Sequence, residues 1–184
     1  MHPADDTRVF WREASGLVER GFRVTLAARA DHDAVRNGVS IVAMPTYSSR
    51  LKRMTLGVLK ALRIALKAKA DVYHAHDPEL LPALTALRLA GKTVVYDAHE
   101  MLSGQITSKP YLPVYVRWPA ATVARALEWF AGRAMNQVVT VSQACAAPYP
   151  PGKVSIVANY PELVNFGAGS TESASGDPQF CYVG

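Results

Sequence analysis

The sequence predicts an α/β domain in which a Rossmann-like parallel sheet carries helices on both faces. Short apolar runs rich in β-branched residues recur along the chain, and patterns typical of helices lie between them. Strands that alternate with helices in this way are characteristic of parallel sheets. Most of the runs are almost continuously apolar, as expected for strands that are buried on both faces.

The predicted elements cover most of the chain. Strands are predicted at residues 23–28, 39–44, 71–76, 93–98, 137–142, 154–159 and 180–183. Helices are predicted at residues 6–20, 51–69, 78–90 and 117–135. The first helix opens with candidate caps at Asp5, Asp6 and Thr7 and stops at Gly21, while the third has Pro78 just inside its start.

The composition fits a globular domain. The chain has 184 residues, of which 49% are hydrophobic and 19% charged, so it can bury a core and wholesale disorder is excluded. Its net charge of +5 indicates an acidic partner only where the positive charge is clustered. Two cysteines without a CxxC pair, and no secretory leader, predict a cytoplasmic protein. No apolar run reaches the roughly 18–20 residues of a membrane-spanning helix.

Boundaries are expected near both ends of the chain. Residues 1–160 are predicted to form one domain and residues 179–184 to begin a second. Residues 161–178 are predicted to link them, because much of this stretch is Gly, Ser and Pro. No apolar strand precedes the first helix. We therefore expect a sheet that lacks its first strand, and a chain that lacks most of its C-terminal domain.

Two of the predicted strands end in polar residues. His76 and Asp77 follow one strand, in the stretch VYHAHDPELL, and His99 and Glu100 follow the next, in VVYDAHE. Functional residues of parallel sheets gather at the carboxyl ends of the strands. If the two strands are neighbours, these side chains line one cleft. The alternative for Asp77 is a purely structural role, in which it caps the helix that Pro78 starts.

A metal site is one alternative use of these residues. His74 and His76 are two positions apart, so on a strand they face the same side and can share an ion. Asp77, Asp97 or His99 would complete the ligand set of a metal-dependent hydrolase. Against this, a side chain on the strand itself points into a helix-covered face, so we expect His74 to be a packed core residue.

A phosphate-binding loop of the usual kind is not found in the sequence. Neither GxGxxG after a strand nor GxxxxGK[ST] occurs, and the GAG at 167–169 opens no helix. A dinucleotide or ATP site in this domain is therefore disfavoured.

The ordered set of motifs resembles a known family. HPADDTRVFWREASGLVERGFRVTLAA, DVYHAHDPELLPALTALRLAGKTVVYDAHE, VVTVS and IVANYPE together resemble the amino-terminal half of a GT-B retaining glycosyltransferase, and most closely glycosyltransferase family 4. The resemblance implies that this domain binds the acceptor, a carbohydrate or a lipid-linked molecule. It implies that a second domain binds a nucleotide-diphosphate sugar, and that transfer retains the anomeric configuration without an obligatory metal or cofactor.

The resemblance also implies roles for individual residues. It makes His99 the catalytic cleft histidine, and it makes the following residues substrate contacts: His76, Asp77, Glu100, Asp6, Thr7 and Arg8. Asn159, Tyr160 and Pro161 match the hinge into the second domain. Arg8 can meet a phosphate at the amino end of the first helix. The alternative is that Arg8 forms an ion pair with Asp5 or Glu13.

The sequence departs from the family pattern in two ways. The first loop reads HPADDTR, whereas many relatives carry glycines there. The donor-binding glutamates and basic residues of the family belong to the second domain, so we expect this chain to be an inactive fragment of the enzyme. A stand-alone binding module without chemistry is the remaining alternative.

A basic helix is predicted at residues 51–69. One face carries Lys52, Arg53, Lys60, Arg63 and Lys67, and the opposite face carries Leu51, Met54, Val58, Leu59, Leu62 and Leu66. One interpretation is a core-packed helix with solvated charges. The other is peripheral docking on anionic lipid at the inner face of a membrane. Nucleic acid is disfavoured, because no aromatic residues are interleaved with the basic ones.

Two features near residue 115 bear on the cleft and on the core. The segment 101–115 follows His99 and is long for a connection between strand and helix, so it is a candidate lid that contacts the acceptor. Trp118, Trp129 and Phe130 are expected to pack in the core or between helices.

Overall fold

The structure, a computed structural model, describes residues 2–110 and 112–158. Its strands are β1 (Thr25–Arg29), β2 (Ala34–Arg36), β3 (Val39–Met44), β4 (Val72–Ala75), β5 (Thr93–Ala98), β6 (Gln137–Thr140) and β7 (Val154–Ile156). Its α-helices are α1 (Ser15–Glu19), α2 (Arg50–Lys52), α3 (Val58–Ala68), α4 (Leu81–Leu89), α5 (Leu102–Thr107), α6 (Val114–Ala134) and α7 (Gln143–Ala146).

Two composite helices contain π-helical turns. The first helix is a π-helical segment, Thr7–Ala14, that continues into α1. The basic helix consists of α2, a π-helical segment at Arg53–Gly57, and α3. Short 3₁₀ turns at Pro78–Leu80 and Pro151–Lys153 precede α4 and β7.

The strands form two sheets. β4, β5, β6 and β7 are neighbours in that order and are all parallel. The other sheet has the order β1-β3-β2, in which β1 and β3 are parallel and β2 is antiparallel to β3. The predicted α/β architecture with a parallel sheet is therefore confirmed.

The segment at His2–Ala4 connects to the edge of β1. Pro3 forms a parallel bridge with Arg29, whose backbone N–H donates to the carbonyl of His2. The backbone N–H of Ala4 donates to the carbonyl of Arg29. This extended pairing fixes His2 beside the carboxyl end of the sheet, where it contributes to the site described below.

Helices cover both sides of the structure. α3, α4 and α6 pack on one face of the four-stranded sheet, where Tyr73 joins Leu62, Leu84 and Met135 in one cluster of apolar side chains. The first helix packs on the three-stranded sheet through Phe10. Since successive side chains of a strand alternate between faces, the residues that flank Tyr73 point away from α3, α4 and α6.

The first helix begins as its sequence predicts. Asp6 is the N-cap, and its carboxylate accepts hydrogen bonds from the backbone N–H groups of Arg8 (3.0 Å) and Val9 (2.9 Å). The helix ends before Gly21, which has φ +86°.

Other elements differ from the predictions. The segment 101–115, which the sequence predicts as a loop, contains α5, and α6 begins at Val114, earlier than expected. The short strand β2 is absent from the predicted set. It forms a hairpin with β3 through Asn37 and Gly38, whose φ angles of 49° and 75° are those that a tight hairpin turn requires.

Several predictions lie outside the described residues. These are the hinge at Asn159, Tyr160 and Pro161, the linker at 161–178 and the second domain from residue 179. The predicted domain boundaries remain predictions. In the described part of the chain, none of the helices has the length and apolar character needed to cross a membrane.

Two of the three described glycines with left-handed backbones, Gly21 and Gly38, allow a matched test of packing. We expect Gly38→Ala to destabilise the fold more than Gly21→Ala. Both changes force a side chain into a left-handed conformation, at about 1–2 kcal/mol. Only at Gly38 would the new Cβ lie 2.6 Å from Cγ1 of Val18, whereas Gly21 has open space around it. Urea denaturation measures the free energy of unfolding of the two variants. Equal losses of that free energy would show that the hairpin and the first helix can move apart at no cost.

Candidate functional site

The predicted polar strand ends lie side by side. β4 and β5 are adjacent, with His74 opposite Val95 and Ala75 opposite Tyr96. Strand alternation therefore places His76 beside Asp97 on the sheet face that α3, α4 and α6 leave uncovered. His99 follows two positions later, and its ring centroid lies 6.4 Å from that of His76.

A small pocket opens between these strand ends. All four side chains that were predicted at these strand ends line it: His76, Asp77, His99 and Glu100. Tyr96, Leu102 and Gln105 also contribute to the lining. The pocket encloses about 80 Å³. Small-molecule sites are typically about 300–1,000 Å³, so this pocket can enclose only part of a ligand.

His2 joins this pocket to the start of the first helix. Its Nδ1 lies 3.1 Å from Oδ2 of Asp6, and its Nε2 lies 3.7 Å from Oδ1 of Asp77. Its ring stands edge-on to His76 and to His99, with centroids 5.9 Å away in both cases. His2 is not among the site residues that the sequence predicts.

A network of ionic contacts lies beneath the pocket. Arg8 donates from Nη2 to Oδ2 of the fully buried Asp97 at 2.6 Å, and its Nε lies 3.0 Å from Oε1 of Glu13. Nδ1 of His76 lies 3.3 Å from Oδ2 of Asp97, and its Nε2 lies 3.4 Å from Oε2 of Glu13. We call Arg8, Glu13, His76 and Asp97 the charge network.

The π-helical start of the first helix builds this network. In a π-helix the hydrogen bonds join residues five apart, so side chains five positions apart are brought close. Arg8 and Glu13 have this spacing and form an ion pair. In a regular α-helix, neighbouring side chains are three or four positions apart instead.

Protonation in the network follows from burial and charge. Burial raises the pKa of Asp97, but the contacts with His76 and Arg8 lower it by more, to about 2. The pKa of Glu13 is raised, because burial and the negative charge of Asp97 outweigh the effects of His76 and Arg8. Asp97 is thus the permanent negative charge of the network.

His74 does not occupy the expected core position. Its side chain is 32% exposed and stacks on the ring of His76, with centroids 4.8 Å apart. It lies on the sheet face opposite α3, α4 and α6, which explains why those helices do not bury it. Burial against its neighbours and the nearby His76 lower the pKa of His74, so its imidazole is neutral at pH 7.

The metal alternative can be compared with this geometry. Potential ligand atoms of Glu13, His74, His76 and Asp97 all lie within 4.8 Å of one another, and His99 does not belong to that group. However, the guanidinium of Arg8 already contacts both carboxylates. A divalent ion among them would face a fixed positive charge, so the arrangement favours an ion-pair network over a metal site.

The first-loop residues line a second pocket. Asp6, Thr7 and Arg8 surround it with Arg12, and it encloses about 260 Å³. Hydrogen bonds from the backbone of Val9 and from His2 lower the pKa of Asp6 although burial raises it. The sequence left open whether Arg8 pairs with Glu13, and the structure contains this ion pair. The contact of Arg8 with a phosphate stays a prediction.

The predicted lid is anchored to a neighbouring helix. Glu128 of α6 is only 4% exposed, and it accepts hydrogen bonds from the backbone N–H of Ser103 at 3.1 Å and from its hydroxyl at 2.7 Å. Gln105, two residues further along α5, lines the pocket. A single buried carboxylate therefore connects α6 to the pocket wall.

The basic side chains of the predicted membrane face lie largely on the surface. Lys52, Arg63 and Lys67 are exposed, and Arg53 and Lys60 are partly buried. Nε of Arg53 lies 3.0 Å from Oε1 of Glu79.

The comparisons with known proteins bear on the whole described domain. A family model described as Glycosyltransferase Family 4 matches residues 7–159. Among curated proteins, none matches the chain.

The charge network predicts a pH-dependent loss of stability on replacing Asp97. We expect Asp97→Asn to lower the free energy of unfolding at pH 7 by about 3–5 kcal/mol, because it leaves Arg8 without a buried partner. Asp31→Asn, at an exposed position, is the control and should change it by less than about 0.5 kcal/mol.

The sign of the pH dependence follows from the lowered pKa. The unfolded chain takes up the proton near the ordinary carboxyl pKa of 3.8, whereas the folded state does so only near 2. The stabilisation is therefore complete above pH 3.8 and is lost as the pH falls toward 2. The difference between wild type and Asp97→Asn, measured by urea denaturation, should shrink over that interval. A difference that stays constant with pH would contradict the assignment.

The anchoring of α5 predicts unequal effects for two serines on that segment. Ser103→Ala should destabilise the fold by about 1.5–3 kcal/mol, because it removes a hydrogen bond to a buried carboxylate. Ser108→Ala is the matched control, since the Ser108 hydroxyl only donates to the exposed carbonyl of Gln105. Thermal unfolding of both variants measures the contrast. Similar melting temperatures would mean that the hydrogen bond from the Ser103 hydroxyl to Glu128 does not stabilise the fold.

Proposed function

The chain belongs to glycosyltransferase family 4, and from this premise we propose that it forms the acceptor side of a sugar-transfer site. The reaction would move a sugar from a nucleotide-diphosphate donor to a hydroxyl of a carbohydrate or lipid-linked acceptor, with retention at the anomeric carbon. The observation that carries the proposal is the meeting of two polar strand ends in one pocket, inside the matched region.

The size of the pocket supports a site shared with another domain. At about 80 Å³ it can hold one end of a substrate rather than a complete donor and acceptor. The donor half would come from the second domain that the resemblance implies. The 184-residue chain alone is therefore proposed to bind acceptor without transferring sugar.

His99 is the proposed catalytic residue. Its side chain is partly exposed at the pocket, and its Nδ1 is buried 3.9 Å from Oδ1 of Asp97. This separation is too long for a hydrogen bond, so the ring is held by its neighbours His2 and His76, and it can accept a hydrogen bond from a sugar hydroxyl through its other nitrogen. Held in this way, His99 would fix the reacting hydroxyl or the donor sugar in a productive position.

The other wall residues would bind hydroxyl groups. Asp77 and Glu100 offer carboxylate oxygens as acceptors, and His76 contributes an imidazole whose position is fixed by Asp97. These groups suit a polyhydroxylated acceptor, which can donate several hydrogen bonds.

The second pocket would face the donor side. Thr7 and Asp6 line it at the start of the first helix, where partial positive charge favours an anion. Arg8 could reach a phosphate there only by leaving Asp97 and Glu13, so we propose that its main task is to hold the charge network. Neither a metal nor a cofactor other than the nucleotide sugar enters this proposal.

Replacing His99 tests the proposed role directly. In a polypeptide that carries both domains, we expect His99→Ala to lower kcat by at least about 100-fold, because a reacting group loses its positioning. His32→Ala, at an exposed loop position, should leave kcat unchanged. Release of nucleotide diphosphate measures transfer, and circular dichroism checks that both variants fold. Unchanged turnover of His99→Ala would refute its role.

Two further measurements separate the proposal from its alternatives. In the chain itself, histidine ring resonances are followed while an acceptor oligosaccharide is added, and His76 and His99 should shift while His32 does not. In the two-domain polypeptide, transfer should persist in EDTA. Loss of activity in EDTA with release of free sugar would favour the metal-dependent hydrolase.

A further inference from the structure

The helical layer formed by the basic helix, α4 and α6 has an apolar outer surface. On α6, Tyr115 is 80% exposed, Trp118 61% and Trp129 55%. On the basic helix, Leu56 falls among the basic residues at 100° per residue and is 54% exposed, and Leu89 on α4 is 84% exposed. The prediction that Trp118, Trp129 and Phe130 pack in the core or between helices is wrong, because all three side chains are exposed and small residues occupy the inward stripe of α6.

Helical geometry places the aromatic side chains on one side of α6. Ala121, Ala124 and Ala131 are buried against the core and define the inward stripe. At 100° per residue, Tyr115 lies opposite that stripe, and Trp118 and Trp129 lie on the flank between, within about 60° of Tyr115. Single exposed apolar side chains are common on proteins, but a whole helical layer with this pattern marks an interaction surface.

The charge on the same layer has one sign. The basic helix contains no acidic residue, and neither does α4. The one acid of α6, Glu128, is buried and bonded to Ser103. Exposed Lys52, Arg63 and Lys67 on the basic helix and Arg125 on α6 are therefore not offset by an exposed acid on these helices.

We propose that the outer surface of this layer docks on an anionic lipid bilayer. Tyrosine and tryptophan side chains are favoured at the boundary between headgroups and acyl chains. Leucine side chains of an amphipathic helix enter the same depth, and lysine and arginine side chains bind the lipid phosphates. The surface presents all three kinds of residue together, and its charge complements anionic lipid.

The surface is connected to the pocket through α5. Ser103 of α5 bonds to Glu128 of α6, and Gln105 of α5 lines the pocket. A docked layer would therefore hold the pocket at a fixed position relative to the bilayer. This fits an acceptor that carries a lipid anchor, although the docking itself does not depend on the transfer reaction.

Trp11 provides an internal control. It lies on the first helix, is 49% exposed, and contacts the guanidinium of Arg36. The first helix contacts the four-stranded sheet through Asp97 and His76, on the face opposite α3, α4 and α6. Docking through the helical layer should therefore leave Trp11 in water.

Single-tryptophan variants of the chain test the orientation. Each retains Trp11, Trp118 or Trp129 and carries phenylalanine at the other two positions. With vesicles of phosphatidylcholine and phosphatidylglycerol, we expect the emission of Trp118 and Trp129 to shift to the blue and to be quenched by brominated acyl chains. The emission of Trp11 should not change, and vesicles of phosphatidylcholine alone should give no shift.

Charge variants test the electrostatic part. In vesicle co-sedimentation, Arg63→Gln and Lys67→Gln should each weaken partitioning about fivefold, the equivalent of ~1 kcal/mol per charge. Arg20→Gln, at the end of the first helix, is the matched control and should have no effect. Added salt should weaken binding of the unmodified chain.

Three results would overturn the inference. One is absence of co-sedimentation with the mixed vesicles. Another is a blue shift of Trp11 as large as those of Trp118 and Trp129. The third is dimerisation that shifts Trp118 and Trp129 without lipid, which would assign the surface to a second copy of the chain. Vesicle binding by the chain, together with absence of sugar transfer by the polypeptide that carries both domains, would overturn the proposed function and leave this inference standing.

Discussion

The carboxylate of Asp97 is fully buried, and the site depends on how its charge is balanced. A buried charge is costly unless it is paired, so the fold must bring a cation to the end of β5. Arg8 supplies it from the first helix, at 2.6 Å. This requirement fixes the rotation of the first helix against the four-stranded sheet. The fold is stable only when the first helix and the end of β5, which are distant in sequence, are aligned.

The same balance positions the pocket. His76 shares the carboxylate with Arg8, and Oδ1 of Asp97 lies near the buried Nδ1 of His99. Asp97 accepts a hydrogen bond from Arg8, and its Oδ2 lies 3.3 Å from Nδ1 of His76, so one carboxylate contacts groups of the first helix and of the end of β4. The imidazole of His76 lies between Asp97 and Glu13, and the ring of His99 stands beside it at the pocket. Stability and the geometry of the site have a common origin in one residue.

Sequence reasoning finds the elements whose signals are local. Runs of apolar residues identify β4 and β5, and the polar residues that follow them identify His99 as a cleft residue. The sequence predicts Glu13 only as a partner of Arg8. The approach of Glu13 to His76 depends on a π-helical turn, which the sequence pattern does not predict. Asp97 sits two residues before His99, and strand alternation is sufficient to place it on the same face. The pair Asn37 and Gly38 is likewise a hairpin signal strong enough to predict β2.

The two faces of the four-stranded sheet have separate roles. One carries histidines and Asp97 and meets the first helix, while the other is apolar and supports α3, α4 and α6. Because that inner surface accepts small residues such as Ala124, α6 is free to turn its large aromatic side chains outward. The error over Trp118 follows from this point: size and apolarity predict burial only when the neighbouring layer leaves room. Here the core is filled from the sheet side, and the large side chains of α6 are exposed.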